Sequence, residues 1–394
     1  MQKNKYLSTK ISGYIGFFVQ AIVNNFLPIL FIALQDVYKM SYTSLASLIA
    51  VNFGAQVIVD FLAPKIVVKL GYRTTAFLSQ FTAFLGLALL SFLPNVITPY
   101  IAIIICIIIY ATGSGLTEVI LSPMIEMLPT RNKSASMAIL HSFYCWGQAV
   151  TVLVTTVLVL FSGFEKWFVI PLIWSVIPFI NMFSFLKVPI VEPDPSVKMA
   201  TFFELLKNKR FILFMFLMFC AGASEIAMAE WASLFAQNAL GVSKAVGDVT
   251  GPCAFAIFMG LGRVVYAKFS KHISFLKLLI WLNLFGFLCY MIVAFSNIAV
   301  VSLIFCALCG FTVSVSWPGI YSLGASTFKN GGAVMFGAFA MCGDFGCGFG
   351  PWLIGALADK FTLNVGFGVA SVFSALIIIC GFYILKNKDC KIKK

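Results

Sequence analysis

Glu118, Glu225, Glu230 and Asp344 lie inside long apolar runs, where membrane sequence seldom carries an acid. A charged side chain at the centre of a bilayer costs about 2.5–3.5 kcal/mol on insertion scales, so such acids face a bundle interior or a water-filled cavity. No Lys or Arg is expected at comparable depth, since Arg263 falls toward the end of its run. A desolvated carboxyl with no cation beside it keeps its proton near neutral pH and releases it once its surroundings become wet. Proton coupling is therefore the chemistry assigned to Glu118, Glu225 and Asp344, while Glu230, nearer a run's end, reads as a solvated vestibule group. The same lack of deep cations argues against anionic solutes, which need an Arg or Lys clamp.

Around these acids stand amides and aromatic rings. Asn24, Gln56, Tyr144, Gln148, Trp231 and Trp317 are the candidate substrate contacts, with Asn25, Asn52, His141, Trp146 and Tyr321 as further cavity groups. Amides bond hydroxyls and rings stack on apolar faces, so the set suits a neutral polyhydroxylated solute. In GASEIAMAEW, Gly222 to Trp231, helical spacing puts Gly222, Glu225, Ala229 and Ala232 on one face and turns Trp231 about 120° away from Glu225. Those small residues either let a second helix approach closely or leave room for a ligand. Enzyme chemistry has little to work with. The only histidines are His141 and His272, and there is no nucleophile elbow, P-loop, dinucleotide turn or metal-spaced cluster, so neither cofactor nor metal is expected. Cys306 and Cys309 have redox spacing but sit inside an apolar run, where they serve as packing.

Apolar helices must position these groups. The chain has 394 residues, 61% hydrophobic and 10% charged, against roughly 45–50% and about 25% in soluble domains. Twelve runs long enough to cross a ~30 Å hydrocarbon core are predicted, at residues 11–34, 43–66, 74–93, 98–126, 134–162, 167–187, 211–237, 248–269, 275–295, 298–325, 331–356 and 363–385. Of the 27 Lys and Arg, 23 fall on the tails and alternate loops of the N-terminal side, and only Lys39, Lys166, Lys244 and Lys360 on the other. That asymmetry places both termini in the cytoplasm, and makes the net charge of +13 a mark of topology rather than of a nucleic-acid partner. MQKNKYLSTK leads straight into a full-length span, so no cleavable signal peptide is expected.

A polar linker at residues 188–210 divides a bundle at 1–187 from one at 211–394. Within it, Thr201 and Glu204 have the spacing of a capping box that opens a short amphipathic helix on the membrane surface. Faint internal similarity supports a duplication, pairing MSYTSLAS at 40–47 with VSKAVGDV at 242–249, and SFYCWGQ at 142–148 with AFAMCGD at 338–344. The fold class expected is an all-α integral membrane protein of twelve transmembrane helices in two pseudo-symmetric six-helix bundles, with a solute site between them near mid-membrane.

The pattern resembles the major facilitator superfamily over nearly the whole chain. Local motifs resemble, within it, the L-fucose permease-like fucose-galactose-glucose:proton symporter family: GSGLTEVILSP at 113–123, LHSFYCWG at 140–147, GASEIAMAEW with an acid six residues before Trp231, SWPGIYSL at 316–323 and GCGFGPWLIGALAD at 346–359. The resemblance implies sugar and proton symport by alternating access, with the family's proton-linked carboxylate at Glu118. Two departures stand out. Asn24 in VNNFLP replaces a proton-linked Asp, and in the loop after the second run Lys69, Gly71 and Arg73 persist while Pro64 and Val68 replace the expected Gly and Asp. The resulting expectation is a monomeric secondary transporter in the cytoplasmic membrane, whose partners are a neutral sugar or sugar-like solute, a proton and the lipid bilayer. The alternative is a proton-coupled exporter of cationic or amphipathic compounds, because unpaired acids among rings also suit a cation.

Overall fold

The computed structural model describes residues 5–40, 42–192, 200–296, 298–358 and 360–386. Span 1 is Leu7–Ile29, continued past a break at Leu30 by Phe31–Tyr38. Spans 2 and 3 share the run Tyr42–Leu90, followed by span 4 (Pro99–Met127), span 5 (Lys133–Ser162) and span 6 (Val169–Lys187). Span 7 is Lys209–Leu240. Span 8 runs from Lys244–Asp248 through a π-turn at Val249–Cys253 into Ala254–Phe269, and span 9 is Phe275–Phe295. Span 10 is Ala299–Val313 with Ser316–Thr327, span 11 is Gly332–Ala358 and span 12 is Leu363–Lys386. Each predicted run overlaps one of these crossings. Helix is the element expected where no water can satisfy the backbone.

The run Tyr42–Leu90 has 49 residues, about 70 Å of helix at ~1.5 Å per residue, more than twice the hydrocarbon core. It is two crossings joined by a reversal at Gly71, where φ is 78° and ψ is 165°. That backbone conformation is essentially confined to glycine. The reversal brings residues on either side of it to one level of span 4, with Gly115 facing Asp60 and Gly113 facing Ser79. Gly71→Ala is expected to cost about 1–3 kcal/mol, seen as a lower midpoint of thermal unfolding in detergent. An unchanged midpoint would show that the reversal does not need the glycine.

The outward surface is apolar, the reverse of a water-soluble bundle. In span 6, Leu172, Ile173, Val176, Phe179, Ile180 and Phe183 recur every three or four residues and are all exposed. A stripe of this kind belongs against lipid. Spans 1, 2, 4 and 5 of the first half and 7, 8, 10 and 11 of the second surround the centre, and the halves meet along span 2 with span 11 and span 5 with span 8. Gly337 allows the first of these contacts, since a Cβ there would lie 2.8 Å from the Asp60 carbonyl oxygen.

Hydrogen bonds tie the halves at the end that carries the termini: Asn132 Nδ2 donates to Ser270 Oγ (2.8 Å), and the Ser134 and Ser322 hydroxyls meet at 2.7 Å. Near them Ala200 N donates to Asn330 O, 2.9 Å. In the altered loop motif, Arg73 donates to the carbonyls of Phe185 and Leu186 at the end of span 6, a contact inside one half. The capping box is present: Glu204 N donates to Thr201 Oγ1 and Thr201 N to the Glu204 carboxylate, opening the surface helix Phe202–Leu206. Linker residues 193–199, and Asp359 at the end of the span 11 motif, lie outside the described residues.

Candidate solute and proton site

A cavity lies between the halves at mid-span. The first half lines it with Phe17, Gln20 and Asn24 from span 1, Phe53 from span 2, Glu118 from span 4, and His141 and Tyr144 from span 5. The second supplies Glu225 and Ile226 from span 7, Arg263 from span 8, Trp317 from span 10, and Asp344 and Cys347 from span 11. The contributing spans are equivalent pairs of a duplicated bundle. The cavity volume is about 30 Å³. That is far below the ~300–1,000 Å³ of small-molecule sites and holds only a water or two. A sugar-sized solute enters only when the halves move apart.

Prolines inside the helices free polar backbone here. Pro28 has no N–H for the Asn24 carbonyl, and Pro351 has none for the Cys347 carbonyl, so one cavity-lining residue of each half loses its helical hydrogen bond. Asn24 Oδ1 accepts from Asn52 Nδ2 (3.2 Å) and Gln56 Nε2 (3.0 Å), and Gln56 Oε1 accepts from Ser114 Oγ (2.8 Å). Gln56 thus supports Asn24 from behind the cavity rather than lining it. Tyr144 lines it and receives an N–H from Asn25 at 3.4 Å. Trp317 lines it too, and its indole N–H is buried with no partner.

Glu118 is held from both halves. Gln20 Nε2 of span 1 donates to Oε2 at 2.6 Å, and the Tyr321 hydroxyl of span 10 donates to Oε1 at 2.9 Å. A proton on Oε1 need not cost the second bond, because a tyrosine hydroxyl accepts as well as donates. The His141 ring packs edge-on against Phe17 and tilted beside Tyr321.

The expectation that no cation reaches the acids is corrected. Arg263 is 1% exposed and its Nη2 lies 3.3 Å from Glu225 Oε2. Its Nη1 donates to the His141 carbonyl (2.6 Å) and its Nε to the Ser314 carbonyl (3.0 Å), an oxygen at the break in span 10. The misreading has a geometric cause. Arg263 is two turns from the end of span 8, but helical side chains lean toward the helix N-terminus, which in span 8 carries the guanidinium toward mid-membrane. Glu225 is therefore ion-paired, and the case against anionic solutes no longer rests on an absence of deep cations. It rests on Arg263 being neutralised and fully engaged.

Two proposed contacts stand apart from the cavity. Trp231 donates its indole N–H to the Pro351 carbonyl at 2.9 Å and packs on Gly355, inside the second half. Gln148 is buried at 2% on span 5 without lining the cavity. The small face of GASEIAMAEW serves close packing at Gly222, which abuts Gly343 of span 11, and opens on the cavity at Glu225. Glu230 is half-buried. Sequence reasoning missed Gln20, although Phe17, Gln20 and Asn24 share a helix face, and missed Asp60, which stands in span 2 beside Asp344.

The sequence profile described as Major Facilitator Superfamily matches residues 13–351. The chain belongs to that superfamily. This facilitator is a transporter and its fold is the superfamily's two six-helix halves. No curated protein sequence matches it significantly. Among solved structures it is similar to the E. coli fucose:proton symporter FucP, with TM-score 0.78 at 18% identity over 96% of this chain and 99% of that one, and 0.79 with the same coverage for FucP in the outward conformation. The proton:xylose symporter XylE, bound to 6-bromo-6-deoxy-D-glucose, gives 0.80 at 12% identity over 98% and 96%. The human organic anion transporter TETRAN gives 0.75 at 12% identity over 95% and 99%. At such identities the likeness carries the fold.

Proposed function

We propose that this facilitator carries a neutral sugar or sugar-like solute together with a proton across the cytoplasmic membrane, with both termini in the cytoplasm. The observation that carries the reading is Glu118, bonded by Gln20 of one half and Tyr321 of the other, beside two buried polar atoms without partners, Trp317 Nε1 and Gln20 Oε1. A donor and an acceptor left unpaired at a cavity wall cost about 1–3 kcal/mol each until a ligand meets them, and a hydroxylated solute offers both an acceptor and a donor. Trp317 and Tyr144 supply rings for its apolar faces. Two structural neighbours being proton-coupled sugar symporters supports the same reading. Hydrogen bonds between the halves tie the terminus-bearing end shut, which under this orientation is the cytoplasmic end.

The test is uptake by purified protein in liposomes, with a panel of neutral sugars and an inward proton gradient. One proton per solute gives up to about tenfold accumulation per pH unit of gradient. A sugar-evoked, proton-dependent current supports the proposal. Silence across the panel together with inhibition by lipophilic cations would replace it with the exporter reading.

Asn24→Asp probes the departure in span 1. Its Oδ1 already accepts two amide N–H groups, so a carboxylate fits among existing donors. The variant is expected to add a titrating group and steepen the pH dependence of uptake. A pH profile identical to that of the unaltered protein would deny position 24 any part in coupling.

A further inference from the structure

Asp60 of span 2 and Asp344 of span 11 bring their carboxyls within hydrogen-bonding range of each other across the seam between the halves. They are 0% and 4% exposed. Among the described residues no other group donates a hydrogen bond to either oxygen of Asp60 or to Asp344 Oδ2. The site is built closely: a Cβ on Gly115 of span 4 would lie 3.1 Å from Asp60 Oδ1, and Gly337, two turns from Asp344 on span 11, lets that helix touch the Asp60 carbonyl. The titratable groups near enough to interact with the pair by charge are Glu118 from span 4, the Tyr321 hydroxyl from span 10 and, on the Asp344 side, the Cys347 thiol from span 11. None brings a positive charge, and Arg263 is turned to Glu225.

Two carboxylates in such contact cannot both ionise without a donor or cation between them, whereas one shared proton makes a short charge-assisted bond that satisfies both. Asp344 lines the cavity and Asp60 does not, so the proton's way out is through Asp344. We propose that Asp60 and Asp344 form a proton-binding latch, in which one shared proton clamps span 2 to span 11 and keeps the terminus-bearing end of the halves closed. Release breaks one O–H bond, leaves its electron pair on the carboxylate and passes the proton to water in the cavity. The two anions then repel, and the seam parts at the point where the backbones touch. The latch is a proton site separate from Glu118, in a chain whose Asn24 cannot titrate. It deepens the proton-coupled reading, and its test needs no solute, so either can fail without the other.

Spin labels on Lys65→Cys and Lys329→Cys, both exposed and one in each half, would report the opening by pulsed electron resonance in the full-length protein across a pH series, at fixed low and fixed high sodium. The expected result is a short distance at low pH and a growing long-distance population as pH rises, the same at both sodium levels. Asp344→Asn and Asp60→Asn should each abolish the pH response and keep the distance short, because an amide N–H bridges to the remaining carboxylate without a titratable proton. Two variants are used so that a folding failure in one leaves the other. Infrared difference spectra should lose a carboxylic-acid C=O band in Asp344→Asn. A pH response unchanged in both variants, an absent response in the unaltered protein, or an unchanged C=O band would overturn the latch. A response to sodium at constant pH would overturn the proton as its ligand.

Discussion

Replacing Glu118 with glutamine is expected to abolish proton-driven accumulation while leaving solute exchange across the liposome membrane in place. A pH unit of gradient is worth about 1.4 kcal/mol per coupled proton, or tenfold in accumulation, so the internal-to-external ratio should fall from about ten per unit to about one. The substitution is structurally mild. The new amide oxygen accepts from Tyr321 as the carboxylate did, and its N–H can be met by Gln20, whose Oε1 is unpartnered and comes into place by a flip of the Gln20 amide. Cavity-lining groups such as Trp317, Tyr144 and Asn24 are untouched, so counterflow exchange serves as the control. Undiminished accumulation would remove Glu118 as the carrier and shift the coupling to the Asp60 and Asp344 pair.

What the sequence disclosed about this molecule follows from what is local. Apolar runs of sufficient length specify crossings, and the spacing of Thr201 and Glu204 specifies a cap, because both depend on neighbours within a few residues. Asn24, Glu118, Tyr144, Trp317 and Asp344 could be placed near a centre because a polar side chain deep in a span has nowhere else to go. Which partner each finds there is not local. Arg263 meets Glu225 and Asp60 meets Asp344 through the packing of distant spans, and Arg263's depth depends on the lean of its side chain rather than on its position along the helix. Trp231 shows the reverse case. The helical period that put Glu225 on the small face also turned the indole away from it, and the carbonyl of Pro351 takes its N–H.

Arg263→Met is expected to be among the costliest single changes in the protein. It leaves Glu225 buried at 4% exposure without its cation, and breaking a buried ion pair from one side costs about 3–5 kcal/mol. It also removes the donors to the Ser314 carbonyl at the break in span 10 and to His141 across the seam between the halves. Glu225→Gln strands the guanidinium instead and should be costly for the same reason. The double variant is the informative one: with both charges gone no uncompensated ion remains, so its loss should be smaller than the two single losses combined by about 0.5–3 kcal/mol. Unfolding free energies of the four proteins in one detergent measure this. Strict additivity would mean that the pair is not coupled in the folded state. Glu225 would then be free to titrate and would rejoin Glu118 as a proton carrier, whereas coupling confines the mobile protons to Glu118 and the aspartate pair.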